Sequence, residues 1–122
     1  MSESQDPRYL AGIDLFNRGE YFDAHEVWEE LWQDCPAFDR RFYQALIQAA
    51  VAIYHFERRN YRGAARLAGS GKRYMEPYQP DYRGLDVQDF WQQVEAYIAL
   101  ALNINETKLP APRPAIVLSE LT

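Results

Sequence analysis

The segment FYQALIQAAVAIYHF, residues 42–56, constrains the fold of this chain more than any other feature. Read as a helix, it is apolar on nearly all sides, so it needs packing partners on nearly all sides. It is too short to cross a bilayer, which takes roughly 20 apolar residues. Stretches with apolar residues at helical spacing precede and follow it. The sequence therefore predicts an all-α fold, a compact bundle in which this segment is the central helix.

End signals divide the chain into helices. A cap residue followed by proline, Asp6-Pro7, opens the first helix, and Asn60 and Asp86 are placed to cap two later ones. The stretch 76–84 holds two prolines and a glycine, so it is predicted to be the longest loop, and no segment has a convincing strand pattern. About five helices are predicted from these signals. They run from Pro7 to about Arg18, from about Glu20 to Asp34, from about Asp39 to Arg58, from Asn60 to about Met75 and from Asp86 to about Asn105.

Length and cysteine content indicate one domain in a reducing compartment. The 122 residues suffice for a single core, so residues 1–122 are predicted to form one helical domain. Residues 1–5 are expected to be flexible. Residues 106–122, whose three prolines exclude a helix, are expected to dock on the bundle as an extended tail. Because Cys35 is the single cysteine and no secretion signal is recognisable, cytoplasmic localisation is the expectation.

The charge balance bears on the partners of this chain. The formal net charge is −5, and lysine and arginine form no concentrated run. Binding to a phosphate backbone relies on clustered cations. We therefore expect neither nucleic acid nor a membrane as a partner, which leaves a small ligand or another protein. A homo-oligomer is compatible with the sequence.

An internal repeat becomes visible when the chain is compared with itself at a shift of 40 residues, position 13 on position 53. The turns GEYFDA and RNYRGA look like the corner of a tetratricopeptide helix pair, in which a tyrosine fills the gap between the helices. The spacing differs from the 34 residues of that repeat. We predict two helical hairpins, 9–34 and 45–74, that superpose with Tyr21 and Tyr61 in equivalent places and are closed by the fifth helix. The matching residues are Ile13, Phe16, Arg18, Tyr21, Ala24 and Val27 with Ile53, Phe56, Arg58, Tyr61, Ala64 and Leu67.

A polar pair stands out on the second helix. His25 and Glu29 lie one helical turn apart on the side that carries Phe22 and Trp32. Burial of a polar group without a partner costs a few kcal/mol. We therefore predict that His25 and Glu29 are a buried or half-buried pair held together by a hydrogen bond.

The third helix offers further partners for this pair. Gln44, Gln48 and His55 fall within about 40° of each other on a helical wheel and form a polar seam. A short connection makes the second and third helices antiparallel neighbours. That packing sets Glu29 roughly opposite Gln44 and His25 roughly opposite Gln48. The sequence thus predicts a polar site between the two helices, in which the glutamine amides bond to the His25–Glu29 pair.

His25, Glu29 and Trp32 reproduce a signature of His, three residues, Glu, two residues, Trp or Tyr. With this signature, FNRGEYFDAHEVWEELW and FYQALIQAAVAIYHFERRNYRGA resemble the domain of unknown function 309 family over about residues 9–75. The resemblance implies an all-helical bacterial or archaeal protein with no established activity, whose signature has been suspected of binding metal. Only the three signature residues carry over from the family.

These residues leave several functions open. One is a small-ligand or metal site with His25 and Glu29 as ligands of a divalent metal, although a catalytic zinc site commonly takes three protein ligands. A hydrolase would use one of the two as general base, but the His-Glu-x-x-His and Glu-x-x-His motifs are missing. The alternative is a protein-interaction (adaptor) module whose His/Glu pair is purely structural. The candidate ligand-binding residues are His25, Glu29, Trp32, Gln44, Gln48 and His55.

Overall fold

Five α-helices form the bundle in a computed structural model that describes residues 5–103 and 111–119. The predicted all-α fold is confirmed. Parts of the predicted flexible start, 1–5, and of the predicted tail, 106–122, lie outside the described residues. The helices are α1 (Pro7–Asn17), α2 (Tyr21–Asp34), α3 (Arg40–Glu57), α4 (Tyr61–Met75) and α5 (Val87–Tyr97), with 3-10 turns at Ala37–Asp39 and Glu76–Tyr78.

The helix α3 lies in the middle of the bundle, as its composition predicts. It packs against α2 on one side and against α4 on the other, while α1 packs on α2. Its residues Phe42, Leu46 and Ile53 have no exposed surface, which accounts for the near absence of polar side chains in this segment. No helix in the described ranges is both long and apolar enough to span a membrane.

The side chains predicted to cap helices do so. The carboxylate of Asp6 accepts a hydrogen bond from the backbone N–H of Arg8, and the Asp86 carboxylate accepts one from Asp89. The side-chain oxygen of Asn60 accepts from the N–H of Gly63. Each cap satisfies one of the backbone donors that a helix start leaves free. Local sequence therefore sets where these three helices begin.

The end of α5 differs from the prediction. The helix ends at Tyr97 and not at about Asn105. From Ile98 onward the backbone forms turns, in which the Ala101 N–H donates to the Ile98 carbonyl at 2.8 Å. Bonds of this i to i−3 type have poorer geometry and rarely continue for long. Asn103, with φ of 58°, then takes a left-handed conformation.

A two-stranded hairpin replaces part of the predicted loop 76–84, so the prediction that no strand exists was wrong. Strand β1 (Asp81–Tyr82) pairs antiparallel with β2 (Leu85–Asp86). The two residues between them, Arg83 and Gly84, have φ of 49° and 80°. Positive φ at both central residues is the signature of the tight turn that best fits the twist of a hairpin.

The two turns related by the 40-residue shift have the same backbone conformation. Gly19 and Arg59 both have positive φ, 80° and 64°. In each turn a tyrosine, Tyr21 or Tyr61, packs on the phenylalanine that precedes it, with ring centroids 5.2 and 5.5 Å apart. Tyr21 is buried, whereas Tyr61 is partly exposed. The likeness to a tetratricopeptide pair stays a prediction.

Residues 111–119 lie across the bundle without regular secondary structure. The side chain of Asn17 accepts from the backbone N–H of Ile116 at 2.7 Å and donates to its carbonyl at 2.8 Å. Gln93 makes the same pair of bonds with Ala115, at 2.9 and 3.1 Å. An amide side chain that both donates and accepts in this way mimics a neighbouring strand. The side chain of Ile116 is buried, so this segment contributes to the core.

Candidate functional site

The structure places His25 and Glu29 next to each other on α2. The Nε2 atom of His25 lies 3.1 Å from Oε2 of Glu29. The His25 side chain is 18% exposed, and that of Glu29 is 47% exposed. The imidazole is therefore half-buried as predicted, whereas the carboxylate is exposed, so the predicted burial of Glu29 was wrong. The i to i+4 spacing fixes this contact, because such residues share one face of a helix.

The other nitrogen of His25 determines its tautomer. Nδ1 lies 2.8 Å from the backbone carbonyl oxygen of Phe22. A carbonyl oxygen only accepts, so Nδ1 must carry a proton. In the neutral ring Nε2 is then an acceptor, and it faces a carboxylate that also only accepts. The contact between His25 and Glu29 is favourable only when a proton or a metal ion lies between the two atoms.

The glutamine seam does not join this pair, so that part of the prediction was wrong. Gln48 Oε1 accepts a hydrogen bond from the Ser70 hydroxyl of α4 at 2.5 Å. Gln44 is half-buried, and its side chain makes no hydrogen bond within the described residues. The reason lies in the packing: α3 has a neighbour on both sides, and Gln48 faces α4. Nδ1 of His25 bonds to the Phe22 carbonyl, and Nε2 faces Glu29, so neither ring nitrogen turns toward a glutamine.

His55 has the opposite tautomer to His25. The Asn60 side-chain oxygen accepts from a backbone N–H, that of Gly63, so the Asn60 amide nitrogen is the donor to Nδ1 of His55, at 3.2 Å. Nδ1 of His55 is therefore an acceptor, and the proton resides on Nε2. The lone pair of His55 is thus occupied by Asn60, whereas that of His25 faces Glu29.

Trp32, the third signature residue, packs under a guanidinium group. The Arg40 guanidinium carbon lies 4.2 Å from the centre of the indole ring, a cation–π distance. The indole Nε1 is buried and has no hydrogen-bond partner among the described residues. Trp32 therefore stabilises the start of α3 from α2, and the structure gives it no contact with the His25 ring.

A cavity of about 410 Å³ opens at the start of α2, and His25 is not part of its lining. Phe22 lines this cavity and packs on His25, with ring centroids 5.0 Å apart. The Tyr54 ring, 5.6 Å from Phe22, lines it from α3. Arg58 stacks over Tyr54 at 4.3 Å. The volume lies within the range of small-molecule pockets. A ligand in this cavity would contact Phe22, the ring that packs on His25.

A second polar cluster, which the sequence reasoning missed, surrounds Asp39. Asp39 is 3% exposed and is the buried charged residue of the described part of the chain. Its Oδ2 accepts from Nη2 of Arg83 at 2.7 Å, and its Oδ1 accepts a short hydrogen bond from the Tyr82 hydroxyl. The partners are more than 40 residues away in sequence, so no local pattern reveals the cluster. Asp39 reads locally as the start of a helix.

Cys35 lies near this cluster as an unreactive thiol. Burial raises the pKa of Cys35, and the charge of Asp39 raises it further. The thiol donates a hydrogen bond to the carbonyl of Trp32 at 3.3 Å. Since the thiolate is the nucleophile, a raised pKa keeps this sulfur in its unreactive form. Burial likewise raises the pKa of Tyr43, which lines a second cavity together with Cys35 and Asp39.

The described side chains supply an incomplete metal site. Within residues 5–103 and 111–119, no group of three or more His, Cys, Asp and Glu side chains is arranged to hold a metal ion. His25 and Glu29 contribute two donor atoms. Any further ligands of an ion at this pair would be water or groups of a bound molecule.

Comparison with known proteins identifies relatives of this chain. Residues 9–67 match the model of the family described as "Domain of unknown function (DUF309)". The Uncharacterized protein YpuF of Bacillus subtilis (strain 168) is 36% identical over 106 residues, which cover 74% of this chain and 59% of that protein. An Uncharacterized protein of Aquifex aeolicus (strain VF5) is 26% identical over 96 residues, 78% of this chain and 28% of that protein. The chain thus spans less than two thirds of the length of either relative.

Proposed function

This chain belongs to the domain of unknown function 309 family, whose description names no activity, and we propose from the geometry of α2 that it is a binding protein. The His25–Glu29 pair binds a divalent cation, and the remaining coordination positions are open to water or to a small ligand. His25 and Glu29 lie within the segment matched by the family. The proposal concerns this pair and does not include a catalysed reaction.

The observation that carries the proposal is the hydrogen bond from Nδ1 of His25 to the Phe22 carbonyl at 2.8 Å. A histidine that ligates a metal almost always donates its other ring N–H to a carbonyl or carboxylate. This bond fixes the ring and leaves the Nε2 lone pair available. Nε2 and Glu29 Oε2 are 3.1 Å apart. One ion at ordinary bond lengths of about 2.0–2.2 Å can contact both atoms.

The exposure of the pair supports an open site. The Glu29 side chain is 47% exposed, so an ion held there has positions that face solvent. Sites with open positions bind water or a ligand group in addition to the protein atoms. The cavity beside Phe22 offers space for the rest of such a ligand.

Calorimetric titration of untagged protein with Zn²⁺ and with Mn²⁺ tests the proposal. We expect the wild type to bind one ion per chain. Glu29→Gln keeps the shape of the side chain but removes a charged ligand, so affinity should fall by about tenfold or more. His55→Ala is the matched control, because it removes the other histidine of the chain, and it should bind like the wild type.

The outcomes separate a cation site from a purely structural pair. A wild type that binds neither ion, or a Glu29→Gln protein that binds as well as the wild type, would refute the proposal. Loss of binding in His55→Ala would show that the ion binds at His55. Thermal unfolding with metal and with a chelator gives an independent readout, since a ligand of the native state raises stability by mass action.

An interaction module is the second candidate, and Phe38 supports it. The Phe38 residue is 74% exposed, yet its ring packs beside Tyr78 and Tyr82, with centroids 6.3 and 6.1 Å away. An aromatic side chain on the surface next to other rings offers a binding place for an apolar group of a partner. A second copy of the chain is the partner that can be tested directly. Phe38→Ala should then reduce self-association in sedimentation velocity, and a monomeric wild type would refute this candidate.

A further inference from the structure

A second cavity, of about 420 Å³, lies at the opposite end of α2 from His25. Arg83 lines it from the turn between β1 and β2, in a left-handed conformation with φ of 49°. The Arg83 carbonyl accepts hydrogen bonds from Nε2 of Gln5 at 3.2 Å and from the Tyr9 hydroxyl at 3.1 Å. Two donors on one carbonyl fix the backbone of Arg83.

The charge of Arg83 is already neutralised within the protein. Its Nη2 donates to the buried Asp39 at 2.7 Å, and Tyr82 donates to the other carboxylate oxygen. Asp39 therefore has a partner on each oxygen. The pair is a fixed neutral unit at the edge of the cavity, so the cavity does not attract an anion through Arg83.

Three polar groups of this cavity have no partner among the described residues. Nε of Arg83, a donor, is buried and unpaired. Oε1 of Gln5, an acceptor, is also buried and unpaired. The Tyr43 hydroxyl makes no hydrogen bond within the described ranges. All three residues line the same cavity, and the two groups that are buried and unpaired, on Arg83 and Gln5, call for an explanation.

The remaining charges of the lining select against ions. Arg8 pairs with Asp6 at 3.2 Å and with Asp34 at 2.7 Å. With the Asp39–Arg83 pair included, the lining holds three carboxylates and two guanidinium groups. This surplus of one negative charge opposes a carboxylate ligand. An ammonium group has no acceptor to offer to the unpaired Nε–H of Arg83. A neutral ligand with both an acceptor and a donor avoids the charge repulsion and can still bond to the unpaired groups.

We propose that this cavity binds the carboxamide or urea group of a small neutral molecule. The carbonyl oxygen of the ligand accepts from Nε of Arg83 and from the Tyr43 hydroxyl, and its N–H donates to Oε1 of Gln5. One such group satisfies all three unpaired atoms. This site is independent of the cation site at His25, and nothing in either depends on the other.

Titration of ¹⁵N-labelled protein with acetamide, followed in ¹H–¹⁵N spectra, tests the proposal. We expect saturable shifts of the Arg83 Nε–H and Gln5 side-chain amide signals at millimolar acetamide. Acetate and methylammonium at the same concentrations should give no saturable shift. Arg83→Lys keeps the charge but lacks the Nε–H, so acetamide affinity, read at Gln5, should fall about tenfold.

Two further variants guard against effects on folding. Tyr43→Phe removes one hydroxyl from the cavity and should weaken acetamide binding several-fold. Arg59→Lys is the matched control, because Arg59 is also a left-handed arginine but is exposed, and it should bind acetamide like the wild type. Shifts that never saturate, as expected for groups that only bind water, would overturn the proposal. A preference for acetate or methylammonium over acetamide would overturn it as well.

Discussion

The Nδ1 atom of His25 lies 2.8 Å from the carbonyl oxygen of Phe22, and this contact determines what the other ring nitrogen can do. Histidine and glutamate at i and i+4 form an ordinary surface ion pair when the ring is free to rotate. Here the backbone holds the ring with its Nε2 toward Glu29. The pair is thus oriented before any ion or ligand arrives, and orientation of this kind reduces the cost of binding.

Removal of the buried carboxylate of Asp39 should destabilise the protein strongly. Asp39→Ala leaves Arg83 without its ion-pair partner, and loss of one partner of a buried pair costs about 3 kcal/mol or more. Asp14→Ala is the control, because the Arg18–Asp14 pair is 57% and 70% exposed and such pairs contribute under about 1 kcal/mol. Urea unfolding measures the loss of stability in both variants. Equal small losses in the two variants would show that the Asp39 pair does not stabilise the fold.

Two helical glycines should respond in opposite directions to alanine. A Cβ atom at Gly12 would lie 2.0 Å from Nε1 of Trp28, a fully buried ring, so Gly12→Ala should destabilise the fold by roughly 1–3 kcal/mol. At Gly69 the nearest atom is the flexible end of Arg73, at 3.9 Å. Gly69→Ala should therefore gain up to about 1 kcal/mol from helix propensity. Thermal unfolding decides this, and a stabilised Gly12→Ala would contradict the packing of α1 on α2.

Stability in acid should depend on Glu57. Burial raises the pKa of Glu57, but hydrogen bonds from Arg113 and Tyr97 outweigh this effect, so the pKa lies below its ordinary value of 4.5. A lowered pKa means that the stabilising contribution is present above pH 4.5 and is lost as the pH falls through the pKa of the folded state. Glu57→Gln should be less stable than the wild type at neutral pH and should lose less stability between neutral pH and pH 3. Unfolding curves of both proteins at neutral pH and at pH 3 test this prediction. Equal losses of stability in the wild type and in Glu57→Gln would contradict it.

The sequence correctly predicts those features of the structure that depend on local signals. Asp6-Pro7 and Asn60 mark helix starts because a cap and a proline act within one turn, and the structure has helices from Pro7 and Tyr61. The spacing of His25 and Glu29 predicts their contact because the helix itself brings them together. These features depend on a few neighbouring residues, so they can be read without the fold.

Features that depend on packing were missed or misplaced. The sequence predicts a contact of Gln48 with α2, because its polar character is clear but the rotation of α3 about its axis is not. In the structure Gln48 bonds to Ser70 of α4. Asp39 and Arg83 are 44 residues apart, so only the tertiary structure joins them. The end of α5 depends on a gradual change to tighter turns after Tyr97, for which the sequence has no strong stop signal before Asn103.

Long-range ¹H–¹⁵N correlation of the two histidine rings, recorded with and without Zn²⁺, tests the cation site most directly. We expect Nδ1 of His25 to carry its proton in both states, and Nε2 of His25 to shift on addition of Zn²⁺ because it ligates the ion. The His55 ring, whose Nδ1 accepts from Asn60, should not shift. A proton that remains on Nε2 of His25 in the presence of Zn²⁺, or a shift confined to His55, would contradict the account.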